Sequence, residues 1–138
     1  MGCGGIRWHL GLAATVPFGM QNYKNLTVWK KAHLAAVAAH RSSEKIPARG
    51  NSELVNQIRR AGLSIPANIA EGCSRSSDAE FAKFLQIAIG SASELEYHLE
   101  FAAELLLLDR AESESRQAQV VEVRRMLIGL LKKIRPSP

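Results

Sequence analysis

One stretch of the chain places an apolar residue every three or four positions for about four heptads: Phe81, Leu85, Ala88, Ala92, Leu95, Leu99, Ala102 and Leu106. Alternating steps of four and three form the seam of a helix packed nearly parallel to its neighbours. The spacing predicts a helix of about thirty residues, ~45 Å long at 1.5 Å per residue. Such a helix must bury its stripe against other helices, and the remaining sequence supplies them. Leu26, Trp29, His33, Val37 and His40 recur at helical intervals, with Ala32, Ala35, Ala36 and Ala39 on the neighbouring face. This predicts a first helix of about sixteen to twenty residues, capped at Asn25 or Thr27 and followed by a connection that Pro47 and Gly50 mark. A second helix is expected from Asn51 or Ser52, on the stripe Leu54, Ile58, Ala61, Ile65 and Ile69, with Gly72 as its C-terminal cap. Ser76, Ser77 and Asp78 offer the cap of the third helix, with Glu80 as a first-turn acid. After a polar connection over Asp109 to Ser115, a fourth helix runs on Val120, Val123, Leu127, Leu130 and Ile134 until Pro136 and Pro138 end it. The expected fold class is all-α, an antiparallel up-and-down four-helix bundle with a kinked second helix and a long third helix.

Composition agrees with this reading. The chain has 138 residues, 46% of them apolar, 22% charged and only 6% aromatic, a balance that favours a helical globular domain over a sandwich or barrel. No apolar run reaches the ~18 residues needed to cross a bilayer, so no membrane partner is expected. Cys3 and Cys73 are the two cysteines, too far apart in sequence for a disulfide framework or a structural zinc site. Five of the ten glycines fall within the first nineteen residues, and Pro17 interrupts the apolar segment Leu10 to Val16, which argues against a signal peptide. Residues 1–22 are therefore expected to form an extension outside the bundle, and residues 23–138 the single domain. The compositional break at Gly19 makes Met20 a candidate natural start.

The chemistry-bearing residues are scattered. The residue three before each histidine is Ile6, Lys30, Val37 or Leu95, so the Glu-x-x-His pairs of di-iron bundles are absent. Glu94 and His98 stand four apart, the spacing of an exposed helix pair, without a third ligand at matching spacing. Ser91 and Ser93 lack a nearby base, Gly62, Gly72 and Gly90 are isolated rather than a phosphate loop, and Cys73 follows a helix rather than opening one. No catalytic residue, metal site, cofactor or small-molecule substrate is expected. Pro66 lies inside the period of the second helix, where its ring meets the carbonyl of Gly62 and removes one ladder bond. Gly62 and Ser64 beside it are small enough for another backbone to approach, with Ala88, Gly90, Ser91 and Ala92 as natural counterparts. Asn68 falls near the core stripe and needs hydrogen-bond partners.

Charge is segregated along the chain. Met20 to Lys83 carries ten basic and five acidic residues, Phe84 to Glu114 one and seven, and Ser115 to Pro138 six and one; with Arg7 the net charge of the chain is +5. In one reading Glu94, Glu96, Glu100 and Glu104 face Arg124, Arg125, Lys132 and Lys133, within the chain or between subunits. In the other, basic rows from Lys30, Lys31, Arg59, Arg60, Arg124, Arg125, Lys132 and Lys133 engage phosphates with strong salt dependence. Aromatic platforms for unstacked bases are scarce, so such binding would read shape and charge more than sequence.

Three phrases carry a family resemblance: LTVWKKAH at Leu26 to His33, QIRRAGLSIPANIAEG at Gln57 to Gly72, and EFAKFLQIAIGSASELEYHL at Glu80 to Leu99. From about Tyr23 to Ile134 the chain resembles the four-helix-bundle proteins encoded by 23S rRNA intervening sequences, a family similar in turn to the accessory variability proteins of diversity-generating retroelements. The first connection departs from the family pattern, in which Phe-Pro precedes an acidic residue; here Ile46-Pro47 leads into Ala48-Arg49-Gly50. The resemblance implies a cytoplasmic bacterial protein, a ring-like homo-oligomer with a pentamer as the favoured state, without known catalysis, that binds structured RNA or a nucleic-acid enzyme. Gln57, Arg60, Gly62, Ser64, Pro66, Asn68, Glu71 and Gly72 carry over as its structural signature. The alternative is a purely structural or protein-interaction module whose charges serve oligomerisation.

Overall fold

The computed structural model describes residues 21–134; the expectations for Met1 to Met20, including the alternative start, and for Pro136 and Pro138 lie outside the described residues. A short 3-10 turn, Tyr23–Asn25, leads into four helices: α1 (Thr27–Ser43), α2 (Ser52–Cys73), α3 (Asp78–Glu104) and α4 (Arg110–Ile134). Contacts join α1 to α2, α2 to α3, α3 to α4, and α4 back to α1, which closes an up-and-down four-helix bundle. The chain is already tied to the bundle at Gln21, whose backbone N–H donates to the Cys73 carbonyl at 3.1 Å.

The α3 seam is the centre of the core. Phe81, Leu85, Ala88, Ala92, Leu95, Leu99 and Ala102 are all fully buried. The helix spans 27 residues, about 40 Å at 1.5 Å per residue. Ser77 caps it as expected, its side chain accepting from the Glu80 N–H. The seam stops short of Leu106, which has a φ of 60° and is 91% exposed. The chain turns there, and the Leu106 and Leu107 N–H groups satisfy the Ala103 and Ala102 carbonyls left open at the helix end. The polar connection is also shorter than its composition suggests. α4 begins at Arg110, with the Asp109 carboxylate accepting from the Glu112 N–H at 3.3 Å, so Ala111 to Ser115 form the first turns of a helix.

The core face of α1 is the alanine face. Val28, Ala32, Ala35, Ala39, Ser42 and Ser43 are buried, whereas His33 and His40, placed on the core stripe by their spacing, are exposed. Trp29 is half-buried, stacked on His33 with ring centroids 5.1 Å apart and edge-on to Tyr23 at 4.8 Å. Small side chains win the interior because they allow the helix axes to approach, and larger ones are left at the rim. The predicted α1 caps are replaced by Leu26, which has no side-chain cap bond.

α2 continues without interruption through buried Pro66 to Cys73. Gly72 is therefore inside the helix and does not cap it. Its role is close approach: a Cβ there would stand 2.6 Å from the Phe81 ring and 3.1 Å from the Phe84 Cβ. Gly62 meets Ala36 of α1 and Leu95 of α3, while Gly90, an expected counterpart on α3, faces open space. Ser91, another expected counterpart on α3, does meet α2, through a 2.7 Å hydrogen bond between its hydroxyl and that of Ser64. Gly50, in the first connection, has a φ of 83° that favours glycine.

Gly72→Ala overpacks a full core against a fully buried ring and should lower stability by about 1–3 kcal/mol. Gly129→Ala on α4, where a Cβ meets nothing within 4 Å, should instead raise it by about 0.5–1 kcal/mol through helix propensity. Urea denaturation of the two variants beside the native chain reads both signs.

Candidate nucleic-acid interface

The bundle distributes the expected basic residues over three sides. Arg59 is half-buried and donates from Nε to the Ser43 hydroxyl at 2.8 Å, which ties α2 to the end of α1. Arg60 is exposed and lines a small polar cleft between α2 and α3 with Gln57, Ser64, Ser91 and Glu94, about 240 Å³ in volume. Arg124 donates to Glu96 at 2.6 Å and is the one member of the expected cross-helix pairing of Glu94, Glu96, Glu100 and Glu104 with Arg124, Arg125, Lys132 and Lys133 that forms as such. Glu100 and Glu104 turn instead to Arg110, at 2.7 and 3.4 Å. The Arg110 hydrogen bond, helped by Gln117, holds the Glu100 carboxyl down at about 2. Lys31 pairs with Glu122 of α4 at 3.2 Å.

Lys30, Arg125, Lys132 and Lys133 are exposed and engage none of the carboxylates just described. Arg125 and Lys132 are seven residues apart, and Lys133 follows Glu122 by eleven, so all three lie on the solvent side of α4 near the Lys31 contact. The antiparallel topology brings the end of α4 to the same end of the bundle as the start of α1. Lys30 and Lys31 lie near the start of α1, and Lys24 of the 3-10 turn, exposed and not singled out from sequence, precedes them. The last-turn lysines also complement the negative end of the α4 dipole.

The signature residues of α2 do structural work along the α2–α3 groove. Asn68 donates from Nδ2 to the Ser64 carbonyl at 2.8 Å and to the Ser64 hydroxyl at 2.9 Å, and Ser64 continues to Ser91. The amide thus finds the partners its position demands. Glu71 pairs with Arg75, which lies over the Phe84 ring at 4.8 Å. Gly62, Pro66 and Gly72 are buried. Glu94 is exposed and His98 keeps a buried Nε2 without a partner; no hydrogen bond joins the two. Burial pushes the Cys73 thiol up to about 12, which keeps it protonated and unreactive. Among the described residues, no three His, Cys, Asp or Glu side chains are grouped to hold a metal ion, and no helix is long and apolar enough to cross a membrane.

Sequence reasoning missed a polar staple at the other end of the bundle. Glu112, placed in the connection by composition, accepts from the Ser42 hydroxyl at 2.6 Å and from Lys45 Nζ at 2.8 Å. Beside it, the buried Ser113 hydroxyl donates to the Leu99 carbonyl at 2.7 Å. A helical start at Asp109, an N-cap type, was the available signal.

An antiparallel up-and-down four-helix bundle with segregated charge is the class that the fold defines. Within it, the chain belongs to the 23S rRNA-intervening sequence protein family, whose pattern it matches over residues 24–129. A crystal structure of a protein of unknown function from the S23 ribosomal protein family of Bacteroides thetaiotaomicron is similar in fold, with a TM-score of 0.70. The two are 30% identical, over 77% of this chain and 99% of that one. Among curated proteins, none matches the chain.

The Lys45 ammonium, followed by the Ser42 hydroxyl, lowers the Glu112 carboxyl below its ordinary value. Its contribution is therefore full above the ordinary carboxylate value of about 4.5 and is lost as pH falls through the lowered one. Glu112→Gln should reduce stability at pH 7 and flatten the acid limb below about pH 4.5, leaving the part due to Glu100. Denaturation midpoints of both chains at pH 7 and pH 3.5 check this.

Proposed function

We propose that the protein is a non-enzymatic scaffold, a cytoplasmic homo-oligomeric ring of five copies, that binds structured RNA through exposed cations of the bundle. The observation that supports this reading is that Lys30 of α1 and Arg125, Lys132 and Lys133 of α4 are exposed and, among the described residues, stand outside the ion pairs of the bundle. Unneutralised cations on a rigid helical surface are suited to phosphates at fixed spacing, and their affinity comes from counterion release. A ring multiplies the effect: each subunit brings a formal +5, and five linked weak sites bind one polyanion by avidity. The family name, 23S rRNA-intervening sequence protein, supports an RNA setting. The surface offers few aromatic platforms, so double-stranded or folded RNA suits it better than unstacked bases.

The bonds Arg124–Glu96, Lys31–Glu122 and Lys45–Glu112 favour a second reading for part of the charge, as stitching between helices. A structural or protein-interaction module built on such pairs would be indifferent to RNA.

Arg125→Glu, Lys132→Glu and Lys133→Glu combined should weaken binding to a folded RNA by at least about tenfold and make the log-affinity slope against log salt shallower. The mass of the assembly should stay unchanged. Fluorescence anisotropy over a salt series, with light scattering beside it, reads both. Unchanged affinity and slope would overturn the RNA reading and leave the interaction module.

A further inference from the structure

The third helix carries two stripes rather than one. Opposite its core seam, Ile87, Gly90, Glu94, Tyr97, Phe101 and Leu105 recur at steps of three and four along the outer side of α3. The four large apolar members are between 41% and 62% exposed, and Gly90 leaves an open dip between them, with nothing within 4 Å of a Cβ. Tyr97, Phe101 and Leu105 stand together at the end of this face, with Ile87 further back, and large apolar side chains grouped on one exposed face mark an interaction surface. Tyr97 and Phe101, with ring centroids 6.1 Å apart, give it an aromatic centre of the kind that anchors protein interfaces.

A matching acceptor lies on another side of the bundle. Between α1 and α2 runs a groove of about 440 Å³, floored by Ala36, Val37 and Pro66 and flanked by Leu63. Leu63 is 67% exposed. Charge distinguishes the two faces. The outer stripe of α3 holds the exposed Glu94, whereas the groove is lined by Arg41, Arg59 and Arg60 against one acid, Glu44. Two α3 stripes set against each other would bring like charges together, while an α3 stripe laid in the α1–α2 groove places acids beside Arg41 and Arg60 at its rim. Stripe and groove lie on different sides of one subunit, so each copy can use both at once, head to tail, as a closed ring requires.

We infer that the outer stripe of α3 docks in the α1–α2 groove of a second copy of this chain. The joint rests on the ring of the preceding section and supplies its contact, leaving the outer side of α4 free for phosphates. It is heterologous, so blocking either half removes one side of every joint.

Tyr97→Arg and Leu63→Arg test the two halves separately. Both positions are exposed, so each variant should keep native helicity and melting temperature, checked by circular dichroism. Light scattering should give about 75 kDa for the native chain, five copies of 15.1 kDa, and a single-subunit mass for each variant alone. Mixing the two should restore one joint, between the intact stripe of the Leu63→Arg copy and the intact groove of the Tyr97→Arg copy, and yield a 1:1 dimer of about 30 kDa. A native chain of single-subunit mass would overturn both the ring and this joint. A native assembly that both variants preserve would overturn the joint alone. Leu63→Arg assembling normally while Tyr97→Arg does not, or a mixture without heterodimer, would also overturn it.

Discussion

Small residues let α2 and α3 approach until the Phe81 ring lies against the Gly72 backbone, and the other helices take their places from that pair. A side chain at position 72 would push the axes apart, and the Ser64–Ser91 hydroxyl contact with its Asn68 donor would lose its geometry along the same groove. The conspicuous phrase Gln57 to Gly72 is thus a packing device. Its glycines and serines set the distance between helices, its isoleucines fill the space, and its amide is satisfied within the groove. Position matters more than strength here, because a core at crystal-like density tolerates little displacement.

Ion pairs have a secondary part. Lys31–Glu122, Arg110–Glu100 and Arg75–Glu71 are all at least one-third exposed on both partners, and such pairs contribute little net stability. What they do is choose which charges remain available. Once Arg59 is committed to Ser43 and Arg124 to Glu96, the exposed cations outside such contacts include Lys30, Arg125, Lys132 and Lys133, with Arg41, Arg49 and Arg60 elsewhere on the surface. The segregation seen along the sequence becomes an uneven surface: an acid-rich, partly apolar α3 and an α4 whose last turn carries Lys132 and Lys133.

The proposed RNA site and the proposed joint between copies make different demands on the same scaffold. Phosphate binding tolerates variation in the exact placement of each lysine, since counterion release depends on number and density of charge. Docking a helix stripe in a groove needs shape, which rigid antiparallel helices provide at low entropic cost. A bundle of this kind can present different surfaces on different helix faces.

Much of this was legible in the sequence. The seam from Phe81 to Ala102, the Ser77 cap, the start of α2 and the stripe of α4 are all present because amphipathic period and capping chemistry act locally. The polar demand of Asn68 was readable in the same way. Tertiary structure decided what depends on neighbours. Which face of α1 turns inward was settled by how closely alanines let helices approach, against the larger His33 and His40. Gly72 reads as a cap in one dimension and is a contact surface in three, because Phe81 comes from the next helix. Leu106 continues the period and yet leaves the helix, since the chain must turn to send α4 back along the core. The sequence alone determined the elements and their apolar faces, through interactions within a few residues; which charges are paired, which remain open, and that α3 bears a second exposed stripe were decided by packing between residues far apart in the chain.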